Sequence, residues 1–205
     1  MNFDLCICLR IKGFAKAETI AETANLSIEQ AQQQLDALIA RHWAENTRMG
    51  VRLTAEGKAE ADRLIAAERD MTDASRTKDL YERFCDLNNA FKSLVTDWQM
   101  RSVDGATIVN SHQDEDYDRS VLERLDDLHP RMLQLIGDLA QALPRLGGYG
   151  PRFDVALERI RKGETRYLTA PIIDSYHTVW FELHQDLIQV CGLNRSDEAA
   201  AGRAH

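Results

Sequence analysis

Six histidines and a run of carboxylates are the residues whose types could do chemistry in this chain. His177 and His184 stand seven positions apart. On one helix that is about 10 Å along the axis, too far for two ligands of one metal ion. Each would need a partner from another helix, such as His112 or His129. Asp114-Glu-Asp-Tyr-Asp118 opens like a calcium loop. That loop needs glycine at its sixth position and glutamate at its twelfth, and these are Arg119 and Leu125. The run reads instead as the acidic start of a helix, which the macrodipole favours. Gly147-Gly-Tyr-Gly150 lacks the Lys-Ser/Thr of a phosphate loop, and no nucleophile elbow or zinc signature is present. Neither catalytic residues nor a metal or cofactor is expected. What remains is a candidate small-ligand set of His112, Tyr117, Tyr176, His177 and His184. Tyrosine brings an apolar body with a polar tip, suited to a pocket wall or an interface.

The elements that must position these residues fall into two groups. In the first third, the apolar spacing predicts a short helix over Phe3–Phe14 with Leu5, Cys8, Leu9 and Ile11 inward, ended by Gly13. A second helix runs over Lys16–Ala24, burying Ile20, Ala21 and Ala24. Asn25 follows, a residue that tolerates the left-handed turn between helices. Ser27-Ile-Glu-Gln30 matches a capping box and opens a third helix to about Arg41, with Ala31, Leu35, Leu38 and Ile39 inward. Trp43–Thr47 and Val51–Thr54 read as two short strands joined around Met49-Gly50. Thr54 caps a further helix carrying Ala59, Leu64 and Ile65. Helix, helix, turn, helix, hairpin, helix is the order of a winged helix-turn-helix.

Ala15-Lys-Ala-Glu-Thr-Ile-Ala-Glu-Thr-Ala-Asn-Leu-Ser27, Leu35-Asp-Ala-Leu-Ile-Ala-Arg41 and Leu53-Thr-Ala-Glu-Gly-Lys58 together resemble the DNA-binding core of MarR-type transcriptional regulators. PadR-type regulators share much of it. The resemblance covers roughly residues 3–69. Two departures stand out. Almost no chain precedes the module where the MarR type carries a dimerisation helix, and the wing holds Arg48 and Arg52 in place of an Asp-Arg pair. The resemblance implies that the third helix enters a major groove. With Leu35 inward, steps of about 100° turn Glu29, Gln30, Gln33 and Ala37 outward, with Gln34 and Arg41 flanking. Glutamine can pair with adenine. Candidate DNA contacts are Ser27, Gln30, Gln33 and Gln34, with Lys16, Arg41, Arg48 and Arg52 toward phosphate. The face is poor in bases, and Glu29 would repel phosphate. A winged helix turned protein-docking surface would look the same.

No strand alternation is expected after about residue 55. Three segments carry apolar spacings of three and four instead: Leu80 to Trp98, Val121 to Leu139, and Ile173 to Val190. Such stripes describe helices packed at shallow angles in a bundle. Pro130 splits or kinks the second segment. A shorter helix starts near Pro151 and ends before Gly163. The turn-rich loop 144–151 could bend over a pocket. Asp174-x-x-His177 and Asp126-x-x-His129 are one residue short of the Asp-x-x-x-His in the metal site of FadR-type regulators, so those ligands are not carried over.

The bulk numbers bound the reading. With 205 residues, 44% of them apolar, the chain has enough for a core. Four scattered cysteines make no disulfide scaffold. Net charge is −8, from 33 acids and 25 bases, which excludes a strongly basic nucleic-acid coat. Residues 1–72 hold nine bases and eleven acids, against sixteen and twenty-two beyond. If anything here touches phosphate, it is therefore the first third. No apolar run reaches membrane-spanning length and no signal peptide is read, so a cytoplasmic, non-membrane protein is expected. The fold expected is mainly α: a winged helix-turn-helix domain over 1–72 with a small β-hairpin wing, then a C-terminal helical bundle over 73–193 and a flexible tail over 194–205. The function expected is a homodimeric regulator of transcription on double-stranded DNA, not an enzyme, with a candidate small-molecule effector. The alternative is a winged-helix module that docks on a partner protein.

Overall fold

A computed structural model of the chain describes residues 4–103 and 105–203. Phe3, where the expected first helix begins, and His205, where the expected tail ends, lie outside them. The fold is mainly helical, with two small antiparallel hairpins among the described residues.

Helix α1 (Leu5–Lys12) starts where the Asp4 carboxylate accepts from the Cys6 and Ile7 amides, and stops at Gly13, whose φ is 79°. Helix α2 (Ala17–Ala24) ends at Asn25 in the left-handed conformation. Both bonds of the Ser27–Gln30 capping box are formed at the start of α3 (Ile28–Ala40). Strands β1 (Ala44–Thr47) and β2 (Gly50–Leu53) pair antiparallel, with Ala44 opposite Leu53. Ala15 joins this sheet by exchanging hydrogen bonds of 2.9 and 2.8 Å with Val51. Gly50 has φ 135°, and a Cβ there would stand 2.6 Å from the Ala15 carbonyl oxygen. Only glycine permits this approach. Thr54 caps α4 (Ala55–Asp70). The buried stripe of α4 is Gly57, Ala61 and Ile65 rather than one through Ala59, which is exposed. Gly57 seats the helix directly on the Trp43 carbonyl. Ala24 and Cys8, expected inward, are half-buried.

The second part opens with α5 (Ala74–Gln99), capped by Asp73. It leads into a hairpin of β3 (Met100–Val103) and β4 (Ala106–Val109), in register Met100 opposite Val109. This corrects the expectation of no strands beyond residue 55. Helix α6 (Glu115–Ala142) is capped by Asp114 and passes through Pro130 without ending there. A 3-10 turn (Pro144–Gly148) then runs straight into α7 (Tyr149–Arg161). Segment 144–151 is therefore not a lid: its own Leu146, Tyr149 and Gly150 are buried. After α8 (Arg166–Thr169) comes α9 (Tyr176–Val190), whose N-cap is Ser175. Every residue of the first two apolar stripes is buried, and so is the third from Tyr176 onward. Ile173 is half-buried, ahead of the helix. The segment read as a flexible tail holds α10 (Arg195–Ala200). It is held by buried Glu198, and by Asn88 and Lys92, which donate to the carbonyls of Arg203 and Gly202.

Two apolar clusters result. The smaller gathers Leu5, Leu9, Ile20, Leu35, Val51 and Leu53 with their neighbours. The larger fills the bundle, and it also takes in Ile7 and Ile11 of α1 and Ile65 of α4. Helices α1 and α4 both pack on α9. Among the described residues no helix is long and apolar enough to cross a membrane.

Candidate nucleic-acid interface

Helix α3 packs on α1, α2 and β1 through Ala31, Leu35 and Leu38. The 3.6-residue repeat then leaves its other face outside, where Glu29, Gln30, Gln33, Gln34 and Ala37 are exposed. Ser27 and Gln30 are engaged with each other. The Gln30 side-chain oxygen accepts from the Ser27 amide at 2.9 Å, and the Ser27 hydroxyl accepts from the Gln30 amide at 3.2 Å. Bidentate pairing of Gln30 with a base would break the cap, whereas Gln33 and Gln34 are exposed and take no part in it. The Glu29 carboxyl is held below its usual range by its own backbone N–H and by the Ser27 hydroxyl. It stays charged at neutral pH, at the helix end where the dipole favours an anion.

The cations surround this face unevenly. Arg41 follows the last turn of α3 with its guanidinium 5.3 Å from the centre of the Trp43 ring. Arg48, in the turn between β1 and β2, is exposed. Arg52 is exposed on β2 and bonds Glu45 across the hairpin at 2.8 Å. The Ala15–Val51 bridge places Lys16, exposed at the start of α2, next to the strand that carries Arg52.

The five candidate ligand residues are not gathered into one site. The His112 ring lies 4.4 Å from that of Trp98, and its Nδ1 is 2.9 Å from the Asp118 carboxylate. Tyr117 donates to the carbonyls of Asp97 and Met100. Both sit at the hairpin end of α5 and α6. On α9, Tyr176 is fully buried between Phe91 and Phe153, and its hydroxyl is 3.2 Å from His129 Nδ1. His129 Nε2 reaches Asp154 at 3.0 Å. His184 is buried, 3.3 Å from the Tyr81 hydroxyl, which donates to Glu198 at 2.7 Å. His177 is exposed near the Phe91 ring. Two surface grooves, one between α5 and α6 and one between α6 and α7, include none of the five. Among the described residues, no three of His, Cys, Asp and Glu are grouped to hold a metal ion.

Sequence reasoning missed a buried ionic cluster where the first third meets the bundle. Lys12 of α1 reaches Glu182 at 2.8 Å and Asp174 at 3.1 Å. Arg152 of α7 holds Asp174 at 2.8 Å and Glu182 at 2.7 Å. Arg145 bonds Glu68 of α4 at 2.7 Å and the buried Asp186, to which the Tyr149 hydroxyl also donates. Burial pushes the Asp174 carboxyl up, but Arg152 and Lys12 outweigh it and hold it at about 2. Burial raises the neighbouring Cys8 thiol to about 12, so it is not a thiolate nucleophile at neutral pH. The partners lie up to 170 positions apart, so no local motif announces them.

Scans against models of protein families, curated proteins and solved structures return no match.

Proposed function

We propose that this chain is a DNA-binding regulator of transcription that works as a homodimer in the cytoplasm. In this reading α1–α4 with β1–β2 are a winged helix-turn-helix head, α3 enters the major groove, and the β1–β2 hairpin is the wing. The observation that carries it is the exposed glutamine face of α3, left uncovered by the other described residues. The Ala15–Val51 bridge supports it by tying the hairpin to the start of α2; in this reading Lys16, Arg48 and Arg52 contact phosphate around a base-reading helix. Gln33 and Gln34 read base edges, and Ser27 and Gln30 keep the helix end in shape. The test is selection of duplexes from a random library, followed by polarisation titrations with Gln33→Ala and Arg52→Ala. Enrichment of a shared sequence, with weaker binding by both variants, supports the reading. No enrichment at low salt, or unchanged affinity in both variants, refutes it.

A second reading is a head that docks on a partner protein. It is favoured by the acids at this surface, Glu29, Asp36 and Glu45, all exposed. It predicts no duplex binding at any salt concentration.

A further inference from the structure

The hairpin β3–β4 has no part in the reading above. Every residue of β4 is exposed, Ile108 at 45% and Val109 at 72%. Neither side chain belongs to an apolar cluster of the fold.

The register fixes which backbone groups the hairpin uses. Val103 faces Ala106 across the turn, Arg101 faces Ile108, and the Asn110 N–H donates to the Gln99 carbonyl at 2.8 Å. Bonded and non-bonded pairs alternate along an antiparallel ladder. The pairs 99–110, 101–108 and 103–106 therefore turn inward. The N–H and C=O groups of Thr107 and Val109 turn outward, to the open edge.

An open edge is ordinarily blunted by lysine, proline, a bulge or a covering element. Ala106-Thr107-Ile108-Val109 has no charged side chain and no proline, and its register is unbroken. We propose that β4 pairs antiparallel with β4 of a second copy of this chain, forming a four-stranded sheet across a two-fold axis. This specifies the dimer contact for the regulator reading and rests only on its homodimer part.

Geometry and charge both select a second copy as the occupant. Thr107 and Val109 are two positions apart, so Thr107 of each strand meets Val109 of the other. Four hydrogen bonds form, and no outward group of Thr107 or Val109 is left over. Ile108 lies on the axis against its own copy, in a non-bonded pair with about 4.5 Å between Cα atoms. A two-fold contact requires a patch complementary to itself in this way. Two chains of net charge −8 repel, and β4 is an uncharged stretch where they meet without opposing like charges. The cation on β3, Arg101, is already bound to Asp114 of its own chain at 2.9 Å. A four-residue strand pair buries much less than the roughly 1,200–2,000 Å² of a standard interface. The free dimer is therefore weak and depends on concentration.

Sedimentation equilibrium of the full chain tests this. The wild type is expected to pass from monomer to dimer as concentration rises. Thr107→Pro removes only an outward N–H, a position where an edge strand accepts proline. It is expected to weaken association by about tenfold or more, because symmetry removes two bonds at once. Ile108→Cys is expected to cross-link on oxidation into a species of twice the monomer mass. Ser102→Cys, on the opposite edge of the hairpin, is not. A wild type that stays monomeric throughout overturns the proposal. So does undiminished association of a folded Thr107→Pro, or cross-linking through Ser102→Cys rather than Ile108→Cys. A monomer that still binds duplex through α3 sinks this contact and leaves DNA reading standing; a dimer without duplex affinity does the reverse.

Discussion

Lys12→Met removes one charge from a buried set while keeping most of the aliphatic stem. Lys12 and Arg152 balance Asp174 and Glu182, and the four side chains are only 5, 8, 16 and 7% exposed. After the change, one guanidinium faces two carboxylates. Removing one partner from a buried ion pair costs about 3–5 kcal/mol, because the other charge stays behind unpaired. That is a large share of the roughly 5–15 kcal/mol that holds a domain folded. Urea unfolding should show the midpoint falling by more than about 1 M. Lys12→Met combined with Glu182→Gln removes the orphaned charge and should recover most of the loss, leaving the Arg152–Asp174 pair. Acid separates this account from simple loss of packing. In the wild type the depressed Asp174 gives stability that is full above about 4 and is lost as pH falls through about 2. In the variant that carboxyl loses a cation, its pKa rises, and protonation relieves the excess charge sooner. The gap between variant and wild type should therefore narrow as pH falls toward about 4. A midpoint within about 0.3 M of wild type, or a gap that widens in acid, refutes the reasoning.

Gln33→Ala should weaken binding to a selected duplex by about 1–3 kcal/mol and relax preference at one base position, while Arg52→Ala weakens all duplexes alike and lowers the salt slope; polarisation titrations at several salt concentrations read both. Gly57→Ala drives a methyl group into the Trp43 carbonyl, and should cost about 3 kcal/mol or more in thermal unfolding, since that neighbour is backbone and cannot swing away. Tyr81→Phe leaves Glu198 with Arg203 but without the phenol, and should cost about 1.5–3 kcal/mol in the same assay, as for a bond to a charged group. Thr107→Pro should shift the monomer–dimer equilibrium with little change in melting temperature, because β4 packs on neither apolar cluster.

What could be read from the residues beforehand was whatever repeats along the chain. The stripe through Phe84 and Phe91 and the one through Leu125 and Met132 lie in the core because a long helix keeps one face in register for many turns. The Ser27–Gln30 cap was legible because its two partners are three positions apart. The β3–β4 hairpin did carry a signal, Asp104-Gly105 between Ser102-Val103 and Thr107-Ile108. Its strands are only four residues each, too short to stand out between two long helices. The polar composition after Asn194 hid a docked helix, because what anchors it is a carboxylate meeting Tyr81, 117 positions earlier. The ionic cluster at Lys12 was invisible for the same reason: charge is read along the chain, while burial of charge is settled by parts distant in sequence. The candidate ligand residues share only their chemical type, and type does not say which end of a bundle a residue occupies.

The first third has an apolar cluster of its own, yet Ile7, Ile11 and Ile65 belong to the larger one. A fragment cut after residue 72 would show those three side chains to water and strip Lys12 of both its carboxylates. Such a fragment should keep its smaller cluster but be stickier and less stable than the same segment in the full chain. In the proposed dimer the same seam would make each head an unhinged extension of its body, so that whatever holds two bodies together would also set the pitch at which two heads address a surface.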